Sequence, residues 1–234
     1  MISSFFNKNF YLLLIVPYVV GLIGILLPVS RSLFLSLTPF NLIFSFILVM
    51  VEESKWLRYN ILGLIFILLA SFGLEYLGVT YGYVFGDYSY GKMLGYAYQG
   101  VPVIIAVNWV MLCVASRSLV NLVSQNAVLS SFLAAAVVTA YDYLLEPVAI
   151  RFGWWTWDNG SVPLFNYACW FVFSLIFQLT FRKVPSVARR SYWMIFIQAA
   201  FFWILLLIVT IIFALWKSVM VIPMKHTIYA LDIG

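Results

Sequence analysis

The chain has 234 residues, of which 65% are hydrophobic and only 9% are charged. No soluble domain of this length can bury so much apolar surface, so the composition excludes a water-soluble protein and predicts an integral membrane protein. The net charge is +5, and the basic residues lie in short loops between apolar runs. This placement bears on the membrane topology and does not predict a nucleic-acid partner.

Seven apolar runs follow one another along the chain, and each has roughly the length that a helix needs to cross a bilayer, about 20 residues. They cover residues 10–28, 33–51, 61–79, 101–116, 127–150, 162–181 and 192–216. The sequence therefore predicts an all-α membrane protein with seven transmembrane helices, folded as one polytopic domain over 1–234.

The basic residues between the runs predict the orientation of the chain. Seven crossings place the two termini on opposite sides of the membrane. The N-terminal side holds Lys8, Lys55, Arg58, Arg117, Arg182, Lys183, Arg189 and Arg190. The other side holds Arg31, Lys92, Arg151, Lys217 and Lys225. Because cytoplasmic loops carry the excess of Lys and Arg, we expect a cytoplasmic N-terminus in the cell's inner (cytoplasmic) membrane.

Three acidic residues, Glu75, Asp142 and Glu146, lie near the ends of the third and fifth apolar runs. Carboxylates at membrane depth are costly and are usually functional. The two runs cross in the same direction, so we expect all three carboxylates toward the same face of the membrane. Asp142 and Glu146 are four residues apart and share one helix face. Two carboxylates this close cannot both ionise cheaply, so one is expected to hold a proton and act as a general acid.

Other roles stay open for these carboxylates. Pro147 is expected to kink or end the helix and to turn Glu146 toward a cavity. The Asp142 and Glu146 pair could instead be solvated at the headgroups, or one member could pair with Arg151. Glu75 could be a second acid or base or could orient a water, but an interfacial charge or a hydrogen bond to a neighbouring helix is the alternative.

The surroundings of Glu75 and Asp142 match along the chain. A glycine follows each of them eleven residues later, at Gly86 and Gly153. Two alternating aromatic residues come next, and a Val-Pro pair then opens the following apolar run. We interpret this as an internal repeat of helix, aromatic turn and helix, formed by spans three and four and by spans five and six. The two copies cover about 61–116 and 127–181. Duplicated halves of membrane proteins often place a shared site at their interface.

Aromatic and amide side chains in both copies are candidate substrate contacts. Aromatic faces can line a site for a long apolar substrate and stabilise a developing cation, but an interfacial belt is the alternative. Buried amides either join helices or position a water or a carboxylate, and Gln178 and Gln198 are expected to join helices. Matching positions single out Tyr88, Tyr90, Trp155, Trp157, Asn108, Trp109, Asn166 and Trp170.

Several kinds of active site lack their residues in this chain. His226 is the only histidine, so His-rich di-iron sites, His-ligated haem and Ser-His-Asp triads are unsupported. Neither a Gly-rich phosphate loop nor an Asp-rich diphosphate-binding motif is present, and no Lys lies within a span to form a retinal Schiff base. The sequence therefore predicts neither a metal nor a cofactor.

Two stretches of the chain resemble the membrane-bound carotenoid biosynthesis proteins, a family that includes the carotenoid 1',2'-hydratases. One stretch is EYLGVTYGYVFGDYSYGKMLG at 75–95 with QGVP at 99–102, and the other is DYLLEPVAIRFGWWTW at 142–157 with SVPLFNYACW at 161–170. Together they cover roughly a third of the chain. The chain departs from the family pattern where Thr, Asp and Gly are common, at Tyr81, Glu146 and Cys169.

The resemblance implies a cofactor-independent hydro-lyase that adds water across the terminal C1'–C2' double bond of an acyclic end of a carotenoid such as γ-carotene or lycopene. The residues agree with this chemistry. An acid of the Asp142 and Glu146 pair would protonate the alkene, Glu75 or Asn166 would hold the water, and aromatic faces would stabilise the tertiary cation. The substrate would lie among membrane lipids, and other enzymes of the pathway are candidate partners.

Two other functions stay open on the sequence. A lycopene cyclase protonates the same kind of end, but the chain's own alkene then traps the cation. Glu52 and Glu53 faintly resemble the acidic motif of such enzymes, although they fall on the opposite side from the other carboxylates. A non-catalytic carrier or assembly protein for apolar lipids would need an apolar cavity and would tolerate neutralised carboxylates.

Overall fold

The computed structural model describes residues 2–181 and 190–229, and most of them are helical. The helices in these ranges are α1 (Ile2–Leu26), α2 (Arg31–Ser36), α3 (Thr38–Glu52), α4 (Ser54–Leu57), α5 (Ile61–Tyr81), α6 (Val103–Val120), α7 (Ala127–Arg151), α8 (Leu164–Leu179) and α9 (Trp193–Tyr229). The short strands are β1 (Tyr88–Tyr90), β2 (Ala97–Tyr98), β3 (Val101–Pro102) and β4 (Trp155–Trp157). Single 3₁₀ turns form at Lys92–Leu94 and Arg190–Tyr192.

Five helices within the described ranges are long and apolar enough to cross a membrane, judged by length and composition. They cover Lys8–Leu26, Ile61–Tyr81, Val103–Val120, Ala127–Arg151 and Arg190–Ile212. The chain is therefore a multi-pass membrane protein. The apolar helices α3 and α8 have 15 and 16 residues, and these are short for a span of about 20. The number seven and the internal repeat stay predictions, and Arg182, Lys183 and Arg189 lie outside the described residues.

Helix α6 forms the centre of the bundle and is buried along most of its length. It packs against α3, α5 and α7, while α7 packs most extensively against α8. Helices α1 and α9 pack against each other, and they contact α3 and α7 respectively. The remaining long helices are thus arranged around α6, with α7 in contact with both α8 and α9.

The two aromatic segments, expected as turns, form an antiparallel strand pair. β1 pairs with β4, with Tyr88 opposite Trp157 and Tyr90 opposite Trp155. Aromatic and β-branched residues favour this extended form because they pack well across neighbouring strands. The pair joins the end of α5 to the end of α7, so it links the two carboxylate-bearing helices directly. A second small sheet pairs β2 with β3.

Helix α7 does not end at Pro147 but continues to Arg151. The proline removes one backbone donor near the end of the helix, which the structure tolerates. Glu146 consequently stays on the same helix face as Asp142, and both side chains are buried.

The sequence places Arg117 among the loop charges, but in the structure it is only 1% exposed and lies in the last turn of α6. Its Nε–H donates to Gln178 Oε1 at 2.9 Å, and its NH2 group donates to Ser131 Oγ at 2.8 Å and to the Gln178 carbonyl at 2.7 Å. The Gln178 amide in turn donates to the Cys113 carbonyl at 2.9 Å. The expectation that Gln178 joins helices is therefore confirmed, with α6 and α8 as the two helices.

We expect Gln178→Leu to lower the free energy of unfolding by about 2–4 kcal/mol, because the buried Arg117 Nε–H loses its acceptor and the Cys113 carbonyl loses the Gln178 donor. Thermal unfolding in a fixed detergent measures the loss. Ile176→Leu, on the same helix and 43% exposed, is the control and should leave the midpoint unchanged. Equal midpoints for the two variants would contradict the structural role of this network.

Candidate active site

A cavity of about 450 Å³ lies inside the bundle and is lined by residues of α1, α3 and α5 to α9. Its wall is mostly apolar and aromatic, as is usual for a site that binds a small apolar molecule. Glu75, Asp142 and Glu146 all line it, and each is at most 3% exposed. The structure thus brings the three carboxylates that the sequence singled out into one apolar cavity.

Three hydrogen-bond donors converge on Glu75. The hydroxyls of Tyr88 and Tyr90 donate to Glu75 Oε2 at 2.5 and 2.6 Å, and the indole Nε1–H of Trp109 donates to Oε1 at 3.0 Å. A carboxylate that accepts several hydrogen bonds is stabilised in its ionised form. The arrangement therefore suits a fixed negative charge on the cavity wall.

Tyr88 and Tyr90 belong to β1 and are held as donors. Burial, together with the neighbouring Glu75 carboxylate, raises the pKa of both phenols above the usual value for tyrosine. Each hydroxyl therefore keeps its proton at physiological pH and points it at Glu75.

Asp142 and Glu146 are bridged by one amide. Asn166 Nδ2 donates to Asp142 Oδ2 at 2.9 Å and makes a longer contact of 3.5 Å with Glu146 Oε1. Two indoles hold the other oxygen of Glu146, with Trp155 Nε1 at 2.9 Å and Trp157 Nε1 at 3.0 Å. Asp142 Oδ1 is buried and has no hydrogen-bond partner among the described residues. The two carboxylates therefore differ in their hydrogen bonds: Glu146 accepts from three side chains, whereas Asp142 Oδ1 accepts from none among the described residues.

The tryptophans contact a different carboxylate from the one that the matched spacing suggests. Trp155 and Trp157 follow Asp142 at the same separations as Tyr88 and Tyr90 follow Glu75, yet their indoles bind Glu146. An indole N–H sits closer to the backbone than a tyrosine hydroxyl and points differently, so the same spacing reaches another partner.

The remaining predicted contacts lie around the same cavity. Asn108 lines it, and its Oδ1 is buried without a hydrogen-bond partner in the described part of the chain. Trp170 also lines it and stacks on Trp109, with ring centroids 3.8 Å apart and an interplanar angle of 11°. Trp109 itself is fully buried and does not line the cavity, but its indole donates a hydrogen bond to Glu75, which does.

Sequence reasoning missed a second polar group on the cavity wall. The Tyr141 hydroxyl donates to Gln198 Oε1 at 2.8 Å, and Gln198 Nε2 donates to Tyr18 at 2.7 Å. All three residues line the cavity, as does Asn41. Gln198 thus joins α9 to α7 and α1, as expected of a buried amide. A polar residue inside an apolar run was the available signal, but nothing in the sequence brings α1, α7 and α9 together.

Two further groups of residues lie away from the cavity. Tyr81, which departs from the family pattern, and its neighbour Tyr83 are 53% and 72% exposed, which fits an interfacial aromatic belt. Glu52 forms an ion pair with Arg190 at 2.8 Å, and Glu53 is buried and accepts a hydrogen bond from Ser191. Neither acidic residue lines the cavity. Over 2–181 and 190–229, no group of three or more His, Cys, Asp or Glu side chains is arranged to hold a metal ion.

The structure is that of a multi-pass membrane protein with buried carboxylates around an apolar cavity. Residues 37–227 match the carotenoid biosynthesis protein family, and the chain belongs to that family. It is also similar to the bisanhydrobacterioruberin hydratase of Haloarcula japonica, with 31% identity over 128 residues. The alignment covers 51% of this chain and 44% of the relative's length. No solved structure gives a significant match.

Proposed function

We propose that this protein is a carotenoid hydratase that adds water across the terminal C1'–C2' double bond of an acyclic carotenoid end. The observation that carries the proposal is the convergence of Glu75, Asp142 and Glu146 on one apolar, aromatic cavity. Carboxylates at membrane depth are usually functional. The family and the hydratase similarity support the same reaction class.

Asp142 is the proposed general acid. A neutral carboxylic acid carries its proton on an oxygen that no donor faces, and Asp142 Oδ1 is buried on the cavity wall without a described partner. The Asn166 amide fixes the other oxygen at 2.9 Å. The proton would add to the less substituted alkene carbon and leave a tertiary cation on its neighbour.

Glu75 and the aromatic rings then stabilise the cation. Three donors hold the Glu75 carboxylate, and the rings of Tyr88, Trp155 and Trp157 line the same cavity. A water held by an unpartnered acceptor such as Asn108 Oδ1 attacks the cation. Its surplus proton returns to the Asp142 and Glu146 pair, which regenerates the acid. No proton is gained or lost overall, and the product is a tertiary alcohol.

The alternatives fit the cavity less well. The acidic pair that suggested a cyclase, Glu52 and Glu53, makes contacts with the Arg190–Tyr192 turn instead of lining the cavity. A carrier for apolar lipids would require no aligned carboxylates, whereas burial of three of them is costly. The charge bias supports placing the protein in the inner (cytoplasmic) membrane with a cytoplasmic N-terminus.

Chromatography with mass spectrometry tests the proposal on pigments from a bacterium that makes lycopene or γ-carotene, with and without the gene. We expect a product heavier by one water and with an unchanged chromophore. A product of equal mass with a shortened chromophore would assign a cyclase. Unchanged pigments from both precursors would remove the hydratase assignment and favour the carrier.

A further inference from the structure

The cavity has one wall that reaches the surface of the protein. Its carboxylates and most of its aromatic rings are buried, but three residues that line it are exposed. Val20 is 48% exposed, Leu37 is 39% exposed and Phe40 is 68% exposed. These residues come from α1 and from the junction of α2 and α3, so the cavity opens sideways between those helices.

The opening lies between helices that are themselves apolar. Val20 and its neighbour Gly21, which also lines the cavity, belong to the Lys8–Leu26 segment that is apolar enough to span a bilayer. Phe40 lies in the apolar helix α3. None of the lining residues at this opening carries a charge, so an apolar chain would meet no desolvation cost on passing through it.

The helices at the opening pack closely at one edge and leave space at the other. α2 ends at Ser36 and α3 begins at Thr38, which leaves a break at Leu37. On one edge α1 and α2 pack without space between them, because a Cβ atom on Gly24 would come within 2.1 Å of the Phe34 ring. At Gly21, by contrast, an added Cβ would meet nothing closer than 3.9 Å.

The size of the cavity shows what must pass through the opening. A sphere of 450 Å³ is about 9.5 Å across. An extended acyclic carotenoid is about as long as the hydrocarbon core of a bilayer is thick, roughly 30 Å. A terminal group therefore fits in the cavity, and the rest of the polyene does not.

We propose that the gap bounded by Val20, Gly21, Leu37 and Phe40 is a lateral mouth that holds the polyene of the substrate. The terminal alkene lies against the carboxylates while the remaining chain extends through the mouth into the bilayer. This inference rests on the proposed carotenoid substrate. It implies that one end of the molecule is bound at a time and that the far end is not recognised.

Blocking the mouth with a removable label tests this inference. Phe40→Cys and Leu69→Cys are matched variants, because both side chains are about equally exposed, at 68% and 67%, and only Phe40 lines the cavity. Each variant is placed in lipid nanodiscs and reacted with a bulky methanethiosulfonate. The reagent attaches to the cysteine through a disulfide bond, which a reductant cleaves again. The native Cys113 and Cys169 are buried, and the labelled parent chain measures their background.

Lycopene binding is followed by the quenching of tryptophan fluorescence, since Trp154, Trp155, Trp157 and Trp170 line the cavity. We expect the label on Phe40→Cys to weaken binding by about tenfold or more, and reductant to restore it. The label on Leu69→Cys should have no effect. Equal lycopene affinity of the two labelled variants would refute the proposed lateral mouth.

Turnover of lycopene by the unlabelled parent is measured alongside binding. If the parent binds the polyene but forms no hydrated product, the proposed reaction is wrong. The binding comparison then still shows whether the polyene occupies the lateral mouth. If turnover occurs and the Phe40→Cys label leaves both binding and turnover intact, the reaction stands and the mouth is wrong.

Discussion

Asp142→Asn is expected to lower the rate of hydrated-carotenoid formation by about 10²–10⁴-fold, the usual contribution of a general acid. The amide has the same shape as the carboxyl group but carries no acidic proton for the alkene. Because Asp142 Oδ1 has no described hydrogen-bond partner, no bond within the described structure is lost at that atom. The rate is measured on purified protein in lipid nanodiscs with an acyclic carotenoid.

Glu146→Gln is the matched control for this change. A glutamine oxygen at position 146 can still accept from the indoles of Trp155 and Trp157, so we expect a smaller loss of rate. Thermal unfolding checks that both variants keep the fold. If Glu146→Gln abolished turnover while Asp142→Asn retained it, the acid would be Glu146 and our assignment would be wrong.

Glu75→Gln is expected to lower the rate by about 10²–10³-fold, a typical loss when a group that stabilises transition-state charge is removed. The substitution removes the fixed negative charge that faces the developing cation. It also places an amide NH₂ group among three donors, so one of Tyr88, Tyr90 and Trp109 loses its acceptor. We therefore expect a lower unfolding temperature as well.

Glu75→Asp separates charge from hydrogen bonding at this position. The shorter side chain keeps the charge and loses the fitted distances of 2.5 to 3.0 Å. We expect an activity between those of the parent and Glu75→Gln. If Glu75→Asp were as inactive as Glu75→Gln while Glu75→Gln kept the parent's unfolding temperature, charge stabilisation by Glu75 would be refuted.

The composition of the candidate site could be predicted from the sequence because its residues are conspicuous there. Glu75, Asp142 and Glu146 are rare charges in apolar runs, and the aromatic residues after them alternate at the same spacing. All three carboxylates and all four of these alternating aromatic side chains line one cavity. The pattern along the chain thus identified which residues meet.

The partners within the site could not be predicted, because they depend on the register between distant segments. The antiparallel pairing sets Tyr88 opposite Trp157 rather than opposite Trp155. The reach of each ring then decides which carboxylate it contacts, and the indoles contact Glu146. Spacing along one strand contains no information about either choice.

The fold was predictable in its helical character but not in its details. Apolar runs locate helices well, yet α3 and α8 are shorter than the runs suggested, since a run does not show where backbone capping ends a helix. The burial of Arg117 could not be predicted from the sequence either, because its neutral acceptors Gln178 and Ser131 lie on other helices. Hydropathy treats such a charge as a loop residue.

The strand pair also sets an order of assembly during synthesis. Ser89 and Thr156 face each other across the pair and are 67 positions apart in the sequence. At a synthesis rate of roughly 5–20 residues per second, β4 leaves the ribosome about 3–13 s after β1. During that interval Tyr88 and Tyr90 lack their strand partner, so the Glu75 pocket is completed only after α7 has entered the membrane. A nascent chain that stops before β4 would therefore expose an unfinished, acidic membrane helix to quality control.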